Sequence, residues 1–434
     1  MSSSSTLGSL KEEINAQKTI ISNISTQDYY SEEGKTKAGH IRLLSKNEEE
    51  YELILESQRV DAVMREHDEL HPPTTEDCPI CLDTIRMTHP GCVATLFCCG
   101  NFVCMKCFRE NGERDDELVN CPLCRAPIPS DMKTQRKRIQ KHAKAGKVRA
   151  QIALGSSYAT GTIGFPVNKR EAFRLLKLAE EHGTEDPFMY MDALFQLGSF
   201  YMNGIEGILQ PCSSTAMRYM IDASNRGHMH AQYALGQMYV DLDGKENMET
   251  ATLYFTLAFR GGYHNASHML GEFFRLGLGG LNKSLYRAKH YYLEAANNKI
   301  SCSYHNLSQV LLGLCASQYG GICDIQPERD SPRRGSSVYM ALDTKVIGVS
   351  GHSCIPNVLF WLRKSVAENP DFRADSAKMI AILENAGKQV CAHCRKTAEC
   401  FQEPLKACVR CRAAWYCGRE VSAWPYYLRV TNLL

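Results

Sequence analysis

Nine cysteines between residues 78 and 124 constrain the fold of this chain more than any other feature. Eight of them occur in four pairs: Cys78 and Cys81, Cys98 and Cys99, Cys104 and Cys107, Cys121 and Cys124. A Cys-x2-Cys turn directs two thiolates at one tetrahedral ion, so eight such ligands predict two zinc sites. A segment of roughly fifty residues buries too little apolar surface to fold alone, whereas structural zinc supplies about 10–16 kcal/mol. Residues 75–130 are therefore predicted to form a zinc-stabilised domain.

The composition limits the classes of protein to which the chain can belong. Its 50 Lys and Arg nearly balance its 48 Asp and Glu, so the charge does not favour nucleic acid as a partner. No apolar run reaches the length of a transmembrane helix, and the Ser-rich start lacks the layout of a signal peptide. Fifteen of the 20 cysteines lie in two clusters, nine over residues 78–124 and six over residues 391–417, which fits zinc modules better than a disulfide framework. An intracellular protein, cytoplasmic or nuclear, with no membrane partner is expected.

The N-terminal region is predicted to contain one helix. Residues 1–40 are polar and are expected to be disordered. A charged helix is expected over residues 41–72, and the sequence His71-Pro72-Pro73 would end it just before the first cysteine. Packing beside the zinc domain is the favoured role for this helix, and binding of a partner is the alternative.

Two segments of the cysteine cluster, Cys78-Pro79-Ile80-Cys81 and Cys121-Pro122-Leu123-Cys124-Arg125, resemble a RING finger. In a RING the ligands interleave as a cross-brace. The resemblance therefore implies one ion on Cys78, Cys81, Cys104 and Cys107, and another on Cys98, Cys99, Cys121 and Cys124. The sequence departs from the family where Cys99-Gly100-Asn101 lacks the customary histidine. Cys98 takes its place in the proposed ligand set, and Cys92 is the alternative eighth ligand.

The RING resemblance implies a function as a ubiquitin ligase. A RING holds a ubiquitin-conjugating enzyme and its thioester-linked ubiquitin in a reactive pose, so its contribution is proximity and not a covalent catalytic residue. By resemblance, Ile80, Pro122 and Leu123 contact the conjugating enzyme. Arg125 matches the position whose guanidinium bridges that enzyme and ubiquitin, a role that suits its planar set of donors. The alternative is that the apolar residues form a small core and that Arg125 is simply solvated.

A repeated pattern follows the cysteine cluster. Gly-x3-Ala-x3-Leu-Gly begins at Gly146, Gly227 and Gly262, and a partial copy begins at Ala193. An aromatic residue follows each copy by three residues: Tyr158, Tyr201, Tyr239 and Phe274. Copies spaced by 35 to 43 residues predict helical hairpins that stack to bury their apolar faces. Residues 133–315 resemble Sel-one-like repeats, relatives of the tetratricopeptide family, and the resemblance implies a surface for a protein or peptide substrate.

Other parts of the chain fit around the repeats. The basic run Lys133–Lys147 is interpreted as a capping helix of the array instead of a nucleic-acid site. The histidines of the repeats are expected to pack between helices and not to bind metal: His228, His230, His264 and His268. Residues 316–352 are expected to be an irregular linker, and residues 353–386 a further helix pair.

A second cysteine cluster over residues 391–420 resembles part of a MYND zinc finger. Its candidate ligands are Cys391, Cys394, Cys408, Cys411 and Cys417. No Cys or His follows Cys417, so the set of ligands is incomplete and the binding of one further zinc ion by this segment is left open. Cys400 and His393 are the alternative ligands. Residues 421–434 read as an unrelated tail. Because Val421-Ser422 can be encoded by the usual start of an intron, we expect the natural message to continue into a complete finger.

Together these patterns predict a multidomain protein. A small RING-type cross-brace with two zinc ions would precede an all-α helical-repeat solenoid and a partial C-terminal finger. The predicted function is a RING-type ubiquitin ligase whose partners are a ubiquitin-conjugating enzyme, ubiquitin and a substrate on the repeats. The alternative is a non-enzymatic scaffold built from the same parts.

Overall fold

The structure is a computed structural model of the whole chain. It describes residues 3–24, 32–73, 75–86, 93–96, 98, 101–114, 120–127, 131–182, 187–318, 355–388, 406–407 and 415–416. The described residues are predominantly helical. Within these ranges, no helix has the length and apolar character that crossing a membrane requires.

Two N-terminal helices precede a small cysteine-rich β region, a long run of helices follows it, and two short strands come last. The strands are β1 (Thr75–Asp77), β2 (Thr84–Arg86), β3 (Val93–Leu96), β4 (Asn101–Cys104), β5 (Lys406–Ala407) and β6 (Trp415–Tyr416). The helices are α1 (Ser3–Asn23), α2 (Glu32–Leu70), α3 (Met105–Arg114), α4 (Met132–Lys144), α5 (Val148–Thr160), α6 (Lys169–His182), α7 (Pro187–Asn203), α8 (Ser213–Asn225), α9 (Met229–Asp241), α10 (Lys245–Arg260), α11 (Asn265–Leu276), α12 (Leu285–Asn297), α13 (Cys302–Gln318), α14 (Ile355–Glu368) and α15 (Arg373–Lys388).

The chain divides into two compact units. The first comprises Met1–Val60 and Ser267–Leu434, and the second comprises Asp61–Ala266. The second unit contains the cysteine-rich region, here called the cysteine module (residues 75–127), and helices α4 to α10. The first unit contains α1, the beginning of α2, most of α11 and the helices that follow.

The N-terminal region differs from the disordered segment predicted over residues 1–40. Helix α1 forms there and buries Leu10 and Ile14, while α2 begins at Glu32 and buries Ile41. Asn47 of α2 donates a hydrogen bond to Glu13 of α1 at 3.1 Å. The sequence of α1 contains few apolar residues, and the stability of the helix comes from tertiary packing. Composition alone does not predict such packing.

Two antiparallel hairpins build the cysteine module. In the first, β1 pairs with β2 and Thr75 lies opposite Arg86, so the turn between them carries Cys78 and Cys81. In the second, β3 pairs with β4 and Val93 lies opposite Cys104. Successive side chains of a strand point to opposite faces of a sheet. Phe102 and Val103 of β4 consequently contribute to two different cores.

The β3–β4 hairpin joins the cysteine module to the repeats. Its one face, with Leu96 and Val103, packs among the buried cysteines. Its other face, with Val93 and Phe102, belongs to the same apolar core as Ile152 of α5. The module and the first repeat hairpin of this unit therefore have a common apolar core and are not independent domains joined by a linker.

Each repeat is a pair of packed helices, namely α5 with α6, α7 with α8, α9 with α10 and α11 with α12. Small residues let the two helices approach closely. A Cβ added to Gly236 of α9 would lie 2.5 Å from the ring of Phe255 on α10. The aromatic that follows this glycine, Tyr239, stacks on Tyr254 with ring centroids 5.6 Å apart. The predicted role of small and aromatic positions is thus visible in the packing.

The repeat histidines lie among aromatic rings and hydrogen-bond partners. The buried His228 stacks on Phe195 with ring centroids 4.6 Å apart and accepts a hydrogen bond from the backbone N–H of Ala231. His268 lies 2.9 Å from the hydroxyl of Ser303. These contacts agree with the packing role expected from the sequence.

Helix α13 continues the helical packing of the first unit. Tyr304 of α13 stacks on Trp361 of α14, and His305 hydrogen-bonds Ser376 of α15 at 2.8 Å. The further helix pair expected over residues 353–386 is seen as α14 and α15. The linker expected over residues 316–352 lies outside the described residues beyond Gln318.

Candidate metal centre

Four cysteines from separate elements converge at the first candidate site. Cys78 and Cys81 lie on the β1–β2 turn, Cys104 ends β4 and Cys107 lies in α3. Their sulfur atoms all lie within 4.8 Å of one another. A tetrahedron with zinc–sulfur bonds of about 2.3 Å has sulfur–sulfur edges of about 3.8 Å. The Cys81 and Cys104 sulfurs are 3.8 Å apart, so this arrangement fits a tetrahedral ion.

Backbone N–H groups stabilise the thiolate form of this cluster. The N–H of Cys104 points at the sulfur of Cys78 at 3.4 Å, and that of Cys107 points at the sulfur of Cys104 at 3.3 Å. Burial raises the pKa of Cys78, but hydrogen bonds from Cys104, Cys81 and Ile80 lower that pKa to about 6. Burial and the neighbouring sulfurs raise the pKa of Cys107. A divalent cation at the centre would favour the thiolate form of all four groups.

Three cysteines converge at the second candidate site. The sulfur atoms of Cys98, Cys121 and Cys124 also lie within 4.8 Å of one another. The sulfurs of Cys98 and Cys124 are 3.4 Å apart, and the N–H of Cys124 points at the sulfur of Cys121 at the same distance. Burial raises the pKa of Cys121, but backbone N–H groups of Cys124 and Leu123 lower it to about 7. Cys99, the predicted fourth ligand of this site, lies outside the described residues, as does Cys92, the alternative eighth ligand of the module.

The two Cys-Pro-x-Cys turns have the same backbone geometry. In the first, the N–H of Leu82 donates to the carbonyl of Cys78, and in the second, the N–H of Arg125 donates to the carbonyl of Cys121, both at 2.9 Å. Leu82 and Arg125 each adopt a left-handed conformation, with φ of 62° and 58°. Each turn directs its two sulfurs toward one centre and points two backbone N–H groups at the sulfur of its first cysteine. The residue after the second cysteine reverses the chain.

The predicted contact residues lie on these two turns. Ile80 is 39% exposed, Pro122 is half-buried, and Leu123 is half-buried against the cysteine core. Arg125 is exposed. Leu82, which is not among the predicted contact residues, is 76% exposed and directly follows the first turn. The sequence shows a large apolar residue directly after a ligand, but the exposure of this side chain follows from the left-handed conformation of Leu82, which the sequence does not predict.

A cation–aromatic contact supports the attachment of the module to the repeats. The guanidinium of Arg149 on α5 lies 4.8 Å from the ring centroid of Phe102 on β4 and 3.8 Å from the carboxylate of Glu76 on β1. The side chain of Arg149 therefore connects α5 to both hairpins of the cysteine module. The sequence does not predict this contact because the partners of Arg149 come together only in the fold.

The remaining candidate ligands belong to the second cysteine cluster, over residues 391–420. All of these candidates lie outside the described residues: Cys391, Cys394, Cys408, Cys411 and Cys417, and the alternatives Cys400 and His393. The backbone pairs Lys406 with Tyr416 and Ala407 with Trp415 in the two short strands β5 and β6.

Comparison with known proteins identifies the repeats. The chain matches the family model of the Sel1 repeat at residues 148–184, 192–228, 230–263 and 264–299. The chain therefore contains Sel1 repeats, and the predicted all-α repeat fold is confirmed. No RING or MYND family model matches the chain.

Curated relatives are similar over short stretches. Chitin synthase regulatory factor 1 of Schizosaccharomyces pombe is 32% identical over 97 residues, which cover 22% of this chain and 20% of the relative. Chitin synthase regulatory factor 4 of the same organism is 28% identical over 143 residues, covering 33% of this chain and 21% of the relative. The chain thus spans about a fifth of the length of these relatives.

A solved structure is also similar. The crystal structure of a Sel1 repeat protein from Oxalobacter formigenes is 24% identical and has a TM-score of 0.37. The match covers 42% of this chain and 71% of that protein.

Proposed function

We propose that this protein is a scaffold for protein–protein interaction, in which the cysteine module is held at a fixed position on a Sel1-repeat array. The observation that carries the proposal is the shared core of Val93, Phe102 and Ile152. Stacked repeats present an extended surface to a protein or peptide partner. The names of the two yeast relatives, regulatory factors, agree with a protein that acts by binding others.

The scaffold proposal predicts a stoichiometric partner. Full-length protein, purified by affinity capture from gently cross-linked cells, should return at least one partner at a fixed ratio. The matched control is Gly236→Trp, because its side chain would occupy the position of the Phe255 ring and disrupt the array. Either of two results would contradict a scaffold role: a wild-type chain that elutes alone at its 48.7 kDa mass, or a set of captured proteins that is the same for wild type and Gly236→Trp.

We also propose that the module binds two zinc ions. Cys78, Cys81, Cys104 and Cys107 would hold one ion, and Cys98, Cys99, Cys121 and Cys124 the other. Both sets supply only thiolates, which suit zinc and leave no open coordination position for substrate, so the ions would be structural. Metal analysis should find one zinc fewer per chain in Cys78→Ser than in wild type. Equal zinc in the two proteins would refute the first site.

A RING-type ubiquitin ligase is the second candidate function. The supporting observation is the exposure of Ile80 and Leu82 on one turn and of Arg125 at the equivalent position of the other turn. An apolar contact on the first turn and a planar donor on the second match what a RING offers to a conjugating enzyme and its ubiquitin. The module would then accelerate transfer of ubiquitin from the enzyme's thioester to an amine by orientation.

Ubiquitin discharge from a panel of charged conjugating enzymes tests the ligase candidate. Ile80→Ala and Arg125→Ala should each slow discharge about tenfold or more, whereas Leu70→Ala, at an exposed leucine of α2, should not. Arg125→Lys should also slow discharge, because lysine lacks the planar set of donors. If the protein accelerates discharge from no conjugating enzyme of the panel, the ligase candidate is refuted and the scaffold remains as the function.

A further inference from the structure

In the first unit, the beginning of α2 lies along the fourth Sel1 repeat. Glu49 forms an ion pair with Lys289 at 2.7 Å, and Glu52 forms one with Arg287 at 2.7 Å. Glu56 lies 3.5 Å from the same Arg287. Three carboxylates of one helix thus meet two cations of α12.

Hydroxyl groups complete this contact. Tyr291 donates a hydrogen bond to Glu56 at 2.5 Å, and Tyr286 donates one to Glu48 at 3.1 Å. Ser284, which caps the N-terminus of α12, donates to Glu52 at 3.0 Å. The positive end of the α12 dipole therefore adds to the attraction for that carboxylate.

The carboxylates share one face of α2. Glu49, Glu52 and Glu56 are spaced by three and four residues, so they project from the same side of the helix. Glu56 is only 3% exposed, yet Tyr291 and Arg59 as well as Arg287 surround it. A carboxylate buried to this extent requires such partners, so the receiving surface is matched to acidic side chains.

The receiving surface is special to the fourth repeat. Aligning the second helices on Ala216, Ala251 and Ala288 puts Thr215 and Thr250 where α12 has Arg287. The same alignment puts Met217 and Thr252 where α12 has Lys289. The tyrosine at the position of Tyr291 is common to all three helices. The second helix of the first repeat, aligned on Ala172, has Glu171, Phe173 and Leu175 at these three positions. Among the four repeats, only the second helix of the fourth therefore combines the tyrosine with two cations.

We propose that Tyr286, Arg287, Lys289 and Tyr291 form a binding surface for an acidic helix, here called the α12 acceptor face. Helix α2 is its occupant within the chain. A partner protein that presents carboxylates at the spacing of Glu49, Glu52 and Glu56 would compete with α2 for this face. Because the contact is made by ion pairs and hydrogen bonds, the competition depends on salt and on the concentration of the partner.

Binding of a labelled peptide tests the proposal. The probe is a fluorescein-labelled peptide of residues 42–60, and the host is the full chain with Glu49→Lys, Glu52→Lys and Glu56→Lys, which detaches its own α2. This host should bind the peptide at least tenfold more tightly than wild type does, and 500 mM NaCl should weaken that binding at least tenfold. A peptide with glutamine at the three glutamate positions is the matched control.

Two further variants keep the test decisive. Adding Arg287→Glu and Lys289→Glu to the host should abolish binding of the acidic peptide. If the triple reversal lowers the helix content measured by circular dichroism, the milder Glu49→Gln and Glu52→Gln host replaces it under the same criterion. A folded host that binds the peptide no more tightly than wild type would overturn the proposal. Helix α2 would then be a fixed structural element that a partner does not displace.

Discussion

At the scale of single residues, the candidate site depends on two backbone reversals. Leu82 and Arg125 adopt φ values of 62° and 58°, a region that costs most side chains roughly 1–2 kcal/mol. The turns keep this conformation because each places two sulfurs toward one centre. The pairs of cysteines could be read from the sequence by their spacing, whereas the exposure of Leu82 could not, because it follows from the direction of the chain after the turn.

The backbone reversal predicts which substitutions the first site tolerates. Leu82→Asn should retain zinc affinity, since asparagine enters the left-handed region easily. Leu82→Ile should weaken zinc binding about fivefold, since a branched Cβ is strained there. Competition with a chromophoric chelator measures both, and Leu70→Ile at another exposed leucine is the control. Equal affinity in Leu82→Ile and wild type would show that the reversal does not support the site.

A buried histidine makes the stability of the first unit depend on pH. Burial lowers the pKa of His305 to about 4, and its ring stacks on Phe372 and contacts Ser376 and Gln309. The unfolded chain, with a histidine pKa of about 6.5, binds this proton more readily than the folded chain does. His305 should therefore cost roughly 2 kcal/mol of stability as the pH falls from 7 to 5. Urea titrations at both pH values should show a smaller change for His305→Gln than for wild type.

At the scale of elements, the repeats were predictable because their signal is periodic. Glycine, alanine and aromatic residues recur at the spacing of one helical hairpin, and each repeated position has the same packing role. Helix α1 was not predictable in this way. It buries only a few apolar residues, Leu10 and Ile14 among them, and it depends on contacts with α2 such as that of Lys18 with Glu48 at 3.0 Å.

Close approach of paired helices predicts the effect of a small substitution. Gly236→Ala should destabilise the protein by about 1–3 kcal/mol, because its methyl group would overlap the ring of Phe255. Gly8→Ala is the matched control, since no atom lies within 4 Å of a Cβ added at that helical position. That control should be neutral or stabilising by up to about 1 kcal/mol. Chemical denaturation of both variants measures the difference, and equal midpoints would contradict the packing described for α9 and α10.

At the scale of the whole molecule, the main departure from the sequence prediction concerns how the parts are joined. A cysteine module and an array of repeats were both expected, but as successive domains. Within the second unit they share a core, because Phe102 and Val103 of one strand face two different sets of buried side chains. The sequence does not reveal this because a strand with two buried faces reads as one short apolar run.

The shared core predicts that metal binding stabilises the array beyond the cysteines. Hydrogen exchange of α5 in the presence and absence of a zinc chelator tests this coupling most directly, with α10 as the internal control helix. Removal of zinc should release the β3–β4 hairpin, and it should raise the exchange rate of Val148–Thr160 at least tenfold while Lys245–Arg260 changes little. Fast exchange confined to the cysteine module, with α5 unchanged, would contradict the account.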